Sequence, residues 1–356
     1  MLSSTETLDP LSPVGTGFQV RSRGRIHLGP VCIDLRSNEP DFKGFRFFSK
    51  SVLPHSADSG DDDDAPHFTL NLCHLGIDGP WPLQTLREMQ DKSYRGRRMA
   101  AGYYLTDHFG APAYLVTGGT QYWIFAEDFE PILWPYAIKH LLTLYSMEHG
   151  MLHLKAAGIA IDGQGALLVG RGGSGKTVLL AQLCGAGAQF MSNTHALIDG
   201  RNLLGIRTSM RVRSDRFFGP IIATRGLPPS VKAGEYCADP LADLGWPGVG
   251  SAPVRSVCLV DYKGSGTRAI REMDRDTLFD YMEQFSLAVN VYGLKEDILD
   301  SLSGEVTRFS VEMSHMKARL RALVNGSRCY YLSCDASDAG NLQAICDLLK
   351  TPGDPV

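Results

Sequence analysis

The sequence predicts an α/β protein in which a smaller β-rich part precedes a larger part of alternating strands and helices. Two observations support this fold class. Over residues 18–130, short apolar or aromatic runs are separated by Gly, Pro and Asp turns, which is typical of strands. From residue 131 onward, apolar runs of strand length alternate with segments of helical period, as in an α/β core.

Composition excludes several classes of protein. Hydrophobic residues make up 44% and charged residues 21% of the 356 residues, which is ordinary for a globular chain. A net charge of -4 gives no basic field for nucleic acid or an anionic membrane, and no apolar run is long enough to span a bilayer. The eight cysteines form no CxxC pairs. We therefore expect buried thiols in a cytoplasmic protein, with neither nucleic acid nor membrane as a partner.

The first part of the chain predicts a β-rich domain over 18–130, after a flexible N-terminus, 1–17, that is rich in Ser, Thr, Pro and Gly. The segment 56–66 contains four adjacent aspartates, which repel one another and bury nothing, so we expect a solvated loop there. The predicted strands are Gly44–Phe48, Phe68–Leu72, Ala113–Val116 and Gln121–Phe125.

The second part, 131–350, predicts the larger domain, followed by a short tail, 351–356. Its first helix spans 131–149, where apolar residues recur at steps of three and four and Gly150 follows as a stop. An Asp-Gly turn at Asp199-Gly200 predicts a hairpin. The other expected elements are strands Ala156–Ile161, Ala166–Val169, Gln189–Met191, Val257–Val260 and Cys329–Leu332, and helices Lys176–Cys184, Asp276–Val289 and Ala339–Leu349.

One motif points directly to chemistry. The pattern G-x-x-x-x-G-K-[ST] is specific for a phosphate-binding loop when it stands between a strand and a helix, and it does so here. Its glycines allow backbone N–H groups to converge on phosphate oxygens, and the following helix points its positive end at the same anion. The residues expected to bind the nucleotide are Gly170, Gly172, Gly173, Ser174, Gly175, Lys176, Thr177 and Val178.

Within this loop, Lys176 supplies a charge for the outer phosphates and the Thr177 hydroxyl can bind Mg²⁺, so the expected ligands are ATP and Mg²⁺. The loop alone does not name a reaction, because switches, motors, transporters and kinases share it. The sequence has no guanine-reading motif, no ABC-type signature and no apolar run ending in Asp-Glu. The nearest match to such a run is Leu259-Val260-Asp261, a modest match that a simple strand end explains better.

The stretch from Met151 to Gly170 (MLHLKAAGIAIDGQGALLVG) resembles the C-terminal domain of HPr kinase/phosphorylase, especially the shorter HPr-kinase-like proteins of bacterial biosynthetic clusters. The resemblance covers roughly 131–350, and its specific part is 151–200. It implies a PEP-carboxykinase-like P-loop core that transfers the ATP γ-phosphoryl group to a hydroxyl. Relatives form rings or dimers, so a homo-oligomer is consistent with the resemblance.

The sequence departs from this family at two places. The family's histidine aligns with Lys155, while His153 lies one strand repeat earlier, so both side chains can face the same side of the sheet and lie near the γ-phosphate. The family's acidic pair is replaced by Asn193-Thr194, with His195 next. Asn193 can bind a metal-bound water but cannot take up a proton, whereas His195 has a suitable side chain to act as the base. The expected catalytic residues are therefore His153, Lys155, His195 and Lys176, and the metal residues are Thr177 and Asn193.

Arg211 and Arg213 alternate along a strand-like run after the loop. They could clamp a phosphate or carboxylate of the acceptor, and surface salt bridges explain them equally well.

These patterns favour an ATP- and Mg²⁺-dependent kinase that acts on a hydroxyl of a peptide, an amino acid or a natural-product intermediate. Two alternatives stay open. One is a nucleotide-binding regulatory or scaffold protein without turnover, and the other is an ATPase that drives a conformational change.

Overall fold

The computed structural model describes residues 18–40, 66–78, 90–92, 96–99, 102–105, 113–118, 120–129, 132–230, 233–262, 268–335 and 338–350. This part of the chain is a mixed α/β protein that divides into two compact units. Leu28–Pro30 and the residues from Leu142 onward belong to the second unit, and the remaining described residues belong to the first. The predicted strand Gly44–Phe48, segment 56–65 of the acidic loop, the N-terminal segment 1–17 and the tail 351–356 lie outside the described residues.

The first unit is built on a sheet whose apolar strand residues, such as Leu70 and Leu72, are fully buried. The predicted strands Phe68–Leu72, Ala113–Val116 and Gln121–Phe125 are present. The eight strands that the structure describes are β1 (Ser22–Leu28), β2 (Val31–Ser37), β3 (Phe68–His74), β4 (Gln90–Lys92), β5 (Gly96–Met99), β6 (Gly102–Leu105), β7 (Ala113–Gly118) and β8 (Gln121–Ala126). Their order is β1-β2-β3-β8-β7-β6-β5-β4, with β3 parallel to both β2 and β8.

The second unit contains a larger sheet and a two-stranded ribbon. The strands are β9 (Leu152–Lys155), β10 (Ala157–Ile161), β11 (Gln164–Val169), β12 (Gln189–Ser192), β13 (His195–Asp199), β14 (Asn202–Leu204), β15 (Met210–Arg213), β16 (Glu235–Ala238), β17 (Ser251–Val260), β18 (Ala269–Glu272) and β19 (Arg328–Ser333). Strands β15 and β16 pair with each other, and the other nine form the sheet.

Helices pack against this sheet through apolar side chains that follow helical spacing. Leu179, Leu180 and Leu183 of one helix are buried in the core against strand residues such as Leu168. The helices are α1 (Lys139–Glu148), α2 (Lys176–Gly185), α3 (Phe218–Arg225), α4 (Arg275–Phe285), α5 (Ala288–Val291), α6 (Lys295–Ser301), α7 (Val306–Asn325) and α8 (Ala339–Lys350).

The long strand β17 joins the two halves of the larger sheet. Its beginning pairs antiparallel with β14, and its end pairs parallel with β11 on one side and β19 on the other. Three parallel strands therefore end at the same edge of the sheet. The segments that follow them, beginning at Gly170, Asp261 and Cys334, meet there.

Two helical predictions needed correction. The predicted helix 131–149 begins with a π-helical turn, Leu133–Ile138, which contains Pro135, a residue without an N–H to donate. The predicted helix Asp276–Val289 is broken into α4 and α5, because the Ser286 carbonyl accepts a hydrogen bond from the Lys155 N–H at 2.7 Å. The backbone at Leu287 is extended and forms an antiparallel bridge with Leu154. The segment between α4 and α5 therefore pairs with the end of β9.

All eight cysteines lie in the described part of the chain, and none of them forms a disulfide. Burial raises the pKa of several of these thiols, for example that of Cys184 to about 12. Among the described residues, no helix is long and apolar enough to cross a membrane.

The central strand β11 gives a stability prediction. Leu168→Ala removes a fully buried side chain between α2 and the sheet, and should lower the free energy of unfolding by about 2–5 kcal/mol. Val306→Ala, at a side chain that is 63% exposed, should change it by less than about 0.5 kcal/mol. Urea unfolding followed by circular dichroism measures both. Equal effects of the two substitutions would contradict the described core.

Candidate nucleotide-binding site

The glycine loop lies between β11 and α2, and two of its glycines are required by geometry. At Gly170, φ is +151°, and a Cβ would lie 2.4 Å from the carbonyl oxygen of Val260. At Gly175, which precedes the helix, φ is +89°. A side chain at Gly170 would push the loop away from the neighbouring strand, so this packing requires glycine.

The loop is also fixed by its own hydrogen bonds. The buried Ser174 donates its N–H to the Arg171 carbonyl, and its own carbonyl accepts the Tyr262 N–H, both at 3.2 Å. The second bond joins the loop to the segment that follows β17. The first turn of α2 therefore has a fixed position, and its N-terminal N–H groups form the kind of site that binds anions.

Lys176 folds back into this loop. Its Nζ donates to the carbonyl oxygens of Gly170 and Arg171, both at 2.7 Å, and lies 3.3 Å from Ser174 Oγ. Burial and, as the smaller cause, the positive charge of Lys155 together lower the pKa of Lys176 to about 8. Both causes disfavour the charged form of Lys176, so an anion bound near the two lysines would stabilise this charged form.

Lys155 reaches this region from the end of β9. Its N–H is held by the Ser286 carbonyl, and its Nζ lies 6.0 Å from the centre of the Tyr292 ring. The influence of its charge on the pKa of Lys176 places the two ammonium groups in one electrostatic environment. Of the residues predicted to be catalytic, Lys155 and Lys176 thus interact electrostatically.

The two predicted metal residues are also neighbours. Thr177 Oγ1 lies 3.4 Å from Asn193 Oδ1, so a hydroxyl and an amide oxygen face each other beside the loop. Within the described ranges, no group of three or more His, Cys, Asp or Glu side chains could hold a metal ion. A cation at this position would therefore depend on neutral oxygens, phosphate oxygens and water, which is compatible with Mg²⁺ bound chiefly to a nucleotide.

The predicted histidines form a buried pair. His153 Nε2 lies 3.0 Å from His195 Nδ1, and the Thr143 hydroxyl lies 2.9 Å from His153 Nδ1. The Tyr292 hydroxyl lies 3.5 Å from the same nitrogen of His195, and burial raises the pKa of this phenol, which therefore stays protonated. His153 is 1% exposed and His195 is 2% exposed. The pair is thus part of a buried polar network.

Arg211 and Arg213 lie on the ribbon strand β15, opposite β16. The Arg213 guanidinium donates to Glu235 at 3.1 Å, and the Arg211 guanidinium lies 3.9 Å from the same carboxylate. Both arginine side chains are largely exposed. The structure therefore gives these arginines a salt-bridge partner, and a role in binding an acceptor stays a prediction.

Asp261 is the acidic residue that sequence reasoning left among the weak candidates. It follows the last residue of β17, two positions after Leu259, which pairs with Val169 at the end of β11, and it is half-buried. The Tyr331 hydroxyl donates to its Oδ2 at 2.8 Å. The signal in the sequence was the apolar run ending in Asp. The location of Asp261 near the glycine loop depends on the parallel pairing of β17 with β11, which the sequence does not reveal.

Comparisons with known proteins leave the family open. No protein-family model matches the chain, and no curated protein is significantly similar to it. Among solved structures, the Hpr(Ser) kinase/phosphatase from Coxiella burnetii matches with 16% identity over 34% of this chain and 76% of that chain, at a TM-score of 0.21. At this TM-score the likeness supports no conclusion about fold or function. The class of the site is therefore defined by its geometry, a glycine loop between a parallel strand and a helix, with two lysines.

The environment of Lys176 predicts an unusual titration. Because its amine is neutral above a pKa of about 8, its rate of acetylation should rise with a midpoint near pH 8 instead of the ordinary 10.5. Lys155→Met should raise this midpoint, because a neighbouring positive charge is removed while burial remains. Mass spectrometry after pulse acetylation measures the rate, with the exposed Lys295 as the internal control. A midpoint near 10.5 in both proteins would contradict the described burial.

Proposed function

We propose that this chain is an ATP- and Mg²⁺-dependent kinase that transfers the γ-phosphoryl group to a hydroxyl of a peptide, an amino acid or a natural-product intermediate. The observation that carries the proposal is the pair of lysines at the glycine loop, where the pKa of Lys176 is lowered by burial and by Lys155. The resemblance of residues 151–170 to HPr kinases adds support from the sequence.

The loop and its lysines would bind and polarise the phosphates. The N–H groups at the start of α2 would donate to phosphate oxygens, and the helix dipole favours negative charge there. Lys176 would exchange the carbonyls of Gly170 and Arg171 for outer phosphate oxygens. Lys155 would then neutralise charge that develops on the transferred group, which is the main contribution that a protein makes to phosphoryl transfer.

The residues beside the loop fit a weakly held Mg²⁺. Bound Mg²⁺ would neutralise charge on the β- and γ-phosphate oxygens. Thr177 would offer its hydroxyl, and Asn193, 3.4 Å away, would hold a metal-bound water. Asp261, at the end of the neighbouring strand, supplies a carboxylate to the same edge of the sheet, where the family's acidic pair is missing.

The acceptor hydroxyl must lose a proton as the new P–O bond forms and the bond to ADP breaks. Two side chains qualify for this proton transfer. His195 has the suitable chemistry, and its Nδ1 is engaged by His153 in a buried network. Asp261 is half-buried and directly follows the carboxyl end of β17. Transfer through a loose transition state depends mainly on positioning and charge, so the proposal does not depend on which of the two side chains takes the proton.

A second candidate function is supported by the same region. His195 is 2% exposed, and Asn193-Thr194 cannot take up a proton. These features favour a protein that binds nucleotide and regulates or scaffolds without turnover.

The two candidates differ in the transfer of label. With γ-labelled ATP, Mg²⁺ and an extract of the native host as the source of acceptors, the kinase should give a labelled product. The product should disappear with Lys176→Ala and persist with Lys295→Ala, which changes an exposed lysine of α6. Nucleotide binding that depends on Lys176, with no transfer of label to any acceptor, would replace the kinase with the binding protein.

The metal residues give a further prediction. Asn193→Asp places a carboxylate at the position 3.4 Å from the Thr177 hydroxyl, and Mg²⁺ prefers carboxylate oxygens. The Mg²⁺ concentration for half-maximal ATP binding should fall by roughly three- to tenfold, which corresponds to about 1 kcal/mol. Thr177→Val should raise it. An unchanged Mg²⁺ requirement in both variants would place the metal elsewhere.

A further inference from the structure

A cavity of about 180 Å³ lies directly beside the glycine loop in the second unit. Gly175 belongs to both the loop and the cavity wall, and Val178 and Leu179 of α2 extend this wall by one helical turn. Sites for whole drug-sized ligands usually occupy about 300–1,000 Å³. This cavity therefore suits one part of a ligand, such as a single ring system.

The cavity has apolar walls and a polar mouth. Val178, Leu332 and Ile345 contribute aliphatic surface. At the mouth, Arg216 forms an ion pair with Asp335, and the Tyr262 hydroxyl donates to the same carboxylate at 3.4 Å. Apolar walls with a few converging polar groups are typical of a small-molecule site.

An aromatic ring in the wall is held in place. Phe217 lines the cavity, and its N–H donates to Asp215 Oδ1 at 2.8 Å. The same oxygen accepts the Phe218 N–H at 2.7 Å, and the two phenylalanine rings pack edge to face at 4.7 Å between centroids. The Phe217 ring is thus presented by a fixed turn at the start of α3, and a flat ligand could stack on it.

The position relative to the loop selects the kind of ligand. Gly175 precedes the N–H groups at the start of α2, where phosphates would bind, and it also lines the cavity, so the two binding regions are adjacent. The base of a nucleoside triphosphate is separated from its phosphates by one ribose, so it reaches a wall that lies one helical turn along α2. An acceptor, in contrast, must approach the γ-phosphate at Lys155 and Lys176.

We propose that this cavity binds the purine base of the nucleotide, with the ring against Phe217 and an exocyclic amino group donating to the Asp335 carboxylate. The proposal rests on the proposed function, since the phosphates position the base. A carboxylate accepts several hydrogen bonds, so Asp335 can bind the amino group while Arg216 and Tyr262 hold it in place. Adenine in ATP provides this amino group.

The ring contact is tested by comparing ATP with inorganic tripolyphosphate, which has no base. Phe217→Ala should weaken the binding of Mg·ATP about tenfold or more, as expected for loss of a stacking partner, and should leave tripolyphosphate within about twofold. Phe309→Ala, in helix α7, which contributes no residue to the cavity wall, is the matched control. Calorimetric titration measures the affinities. Equal changes for both ligands, or no change for either, would overturn the proposal.

The contact with Asp335 needs a ligand that lacks only the amino group. Asp335→Asn should weaken ATP about tenfold, the usual effect of a hydrogen bond to a charged group, and should have a much smaller effect on purine riboside triphosphate. Equal weakening of both nucleotides would show a purely structural role for Asp335 and would overturn the contact. If the unaltered protein binds neither ATP nor tripolyphosphate, or if Lys176→Ala changes neither affinity, the proposed function fails instead.

Discussion

The parallel pairing of β11 with β17 is the constraint on which the site depends. It sets Val169 opposite Leu259, so the chain must turn at Gly170 directly beneath the Val260 carbonyl, where a Cβ has no room. The same pairing brings Asp261 and Tyr262 to the loop, and the next parallel strand, β19, adds Asp335. Ligands of α/β sheets bind at the carboxyl ends of parallel strands. The glycine loop, the half-buried carboxylate and the cavity are therefore products of one arrangement of three strands.

The charges at this edge of the sheet favour the binding of an anion. Lys176 is held by carbonyl oxygens of its own loop, with Lys155 as a second positive charge in the same environment. Without an anion, the buried ammonium is disfavoured, which explains the direction of its pKa shift. A triphosphate would remove this conflict, and binding would be coupled to the protonation of Lys176.

Local patterns predicted the loop and its flanking elements because their signals lie within a few residues of one another. The period of two along β9 also anticipated that His153 and Lys155 share a face, and the register pairs both with β13. Sequence reasoning missed features that depend on distant segments. One is the ion pair between Arg216 and Asp335, which are 119 positions apart. Another is the hydrogen bond from the Lys155 N–H of β9 to the Ser286 carbonyl, where the predicted helix is interrupted. Helix α7 was missed because its buried residues lie only in its second half and its N-terminus has no side-chain cap.

Calorimetric titration with Mg·ATP at pH 9, in buffers of different ionisation enthalpy, tests the central claim most directly. With a pKa of about 8, Lys176 is mostly neutral at this pH before binding, and contact with phosphate should restore its charge. The account predicts the uptake of about 0.9 proton per nucleotide at pH 9 and very little at pH 6.5. Tight binding at pH 9 without proton uptake would contradict the claim that a bound phosphate restores the positive charge of the buried Lys176.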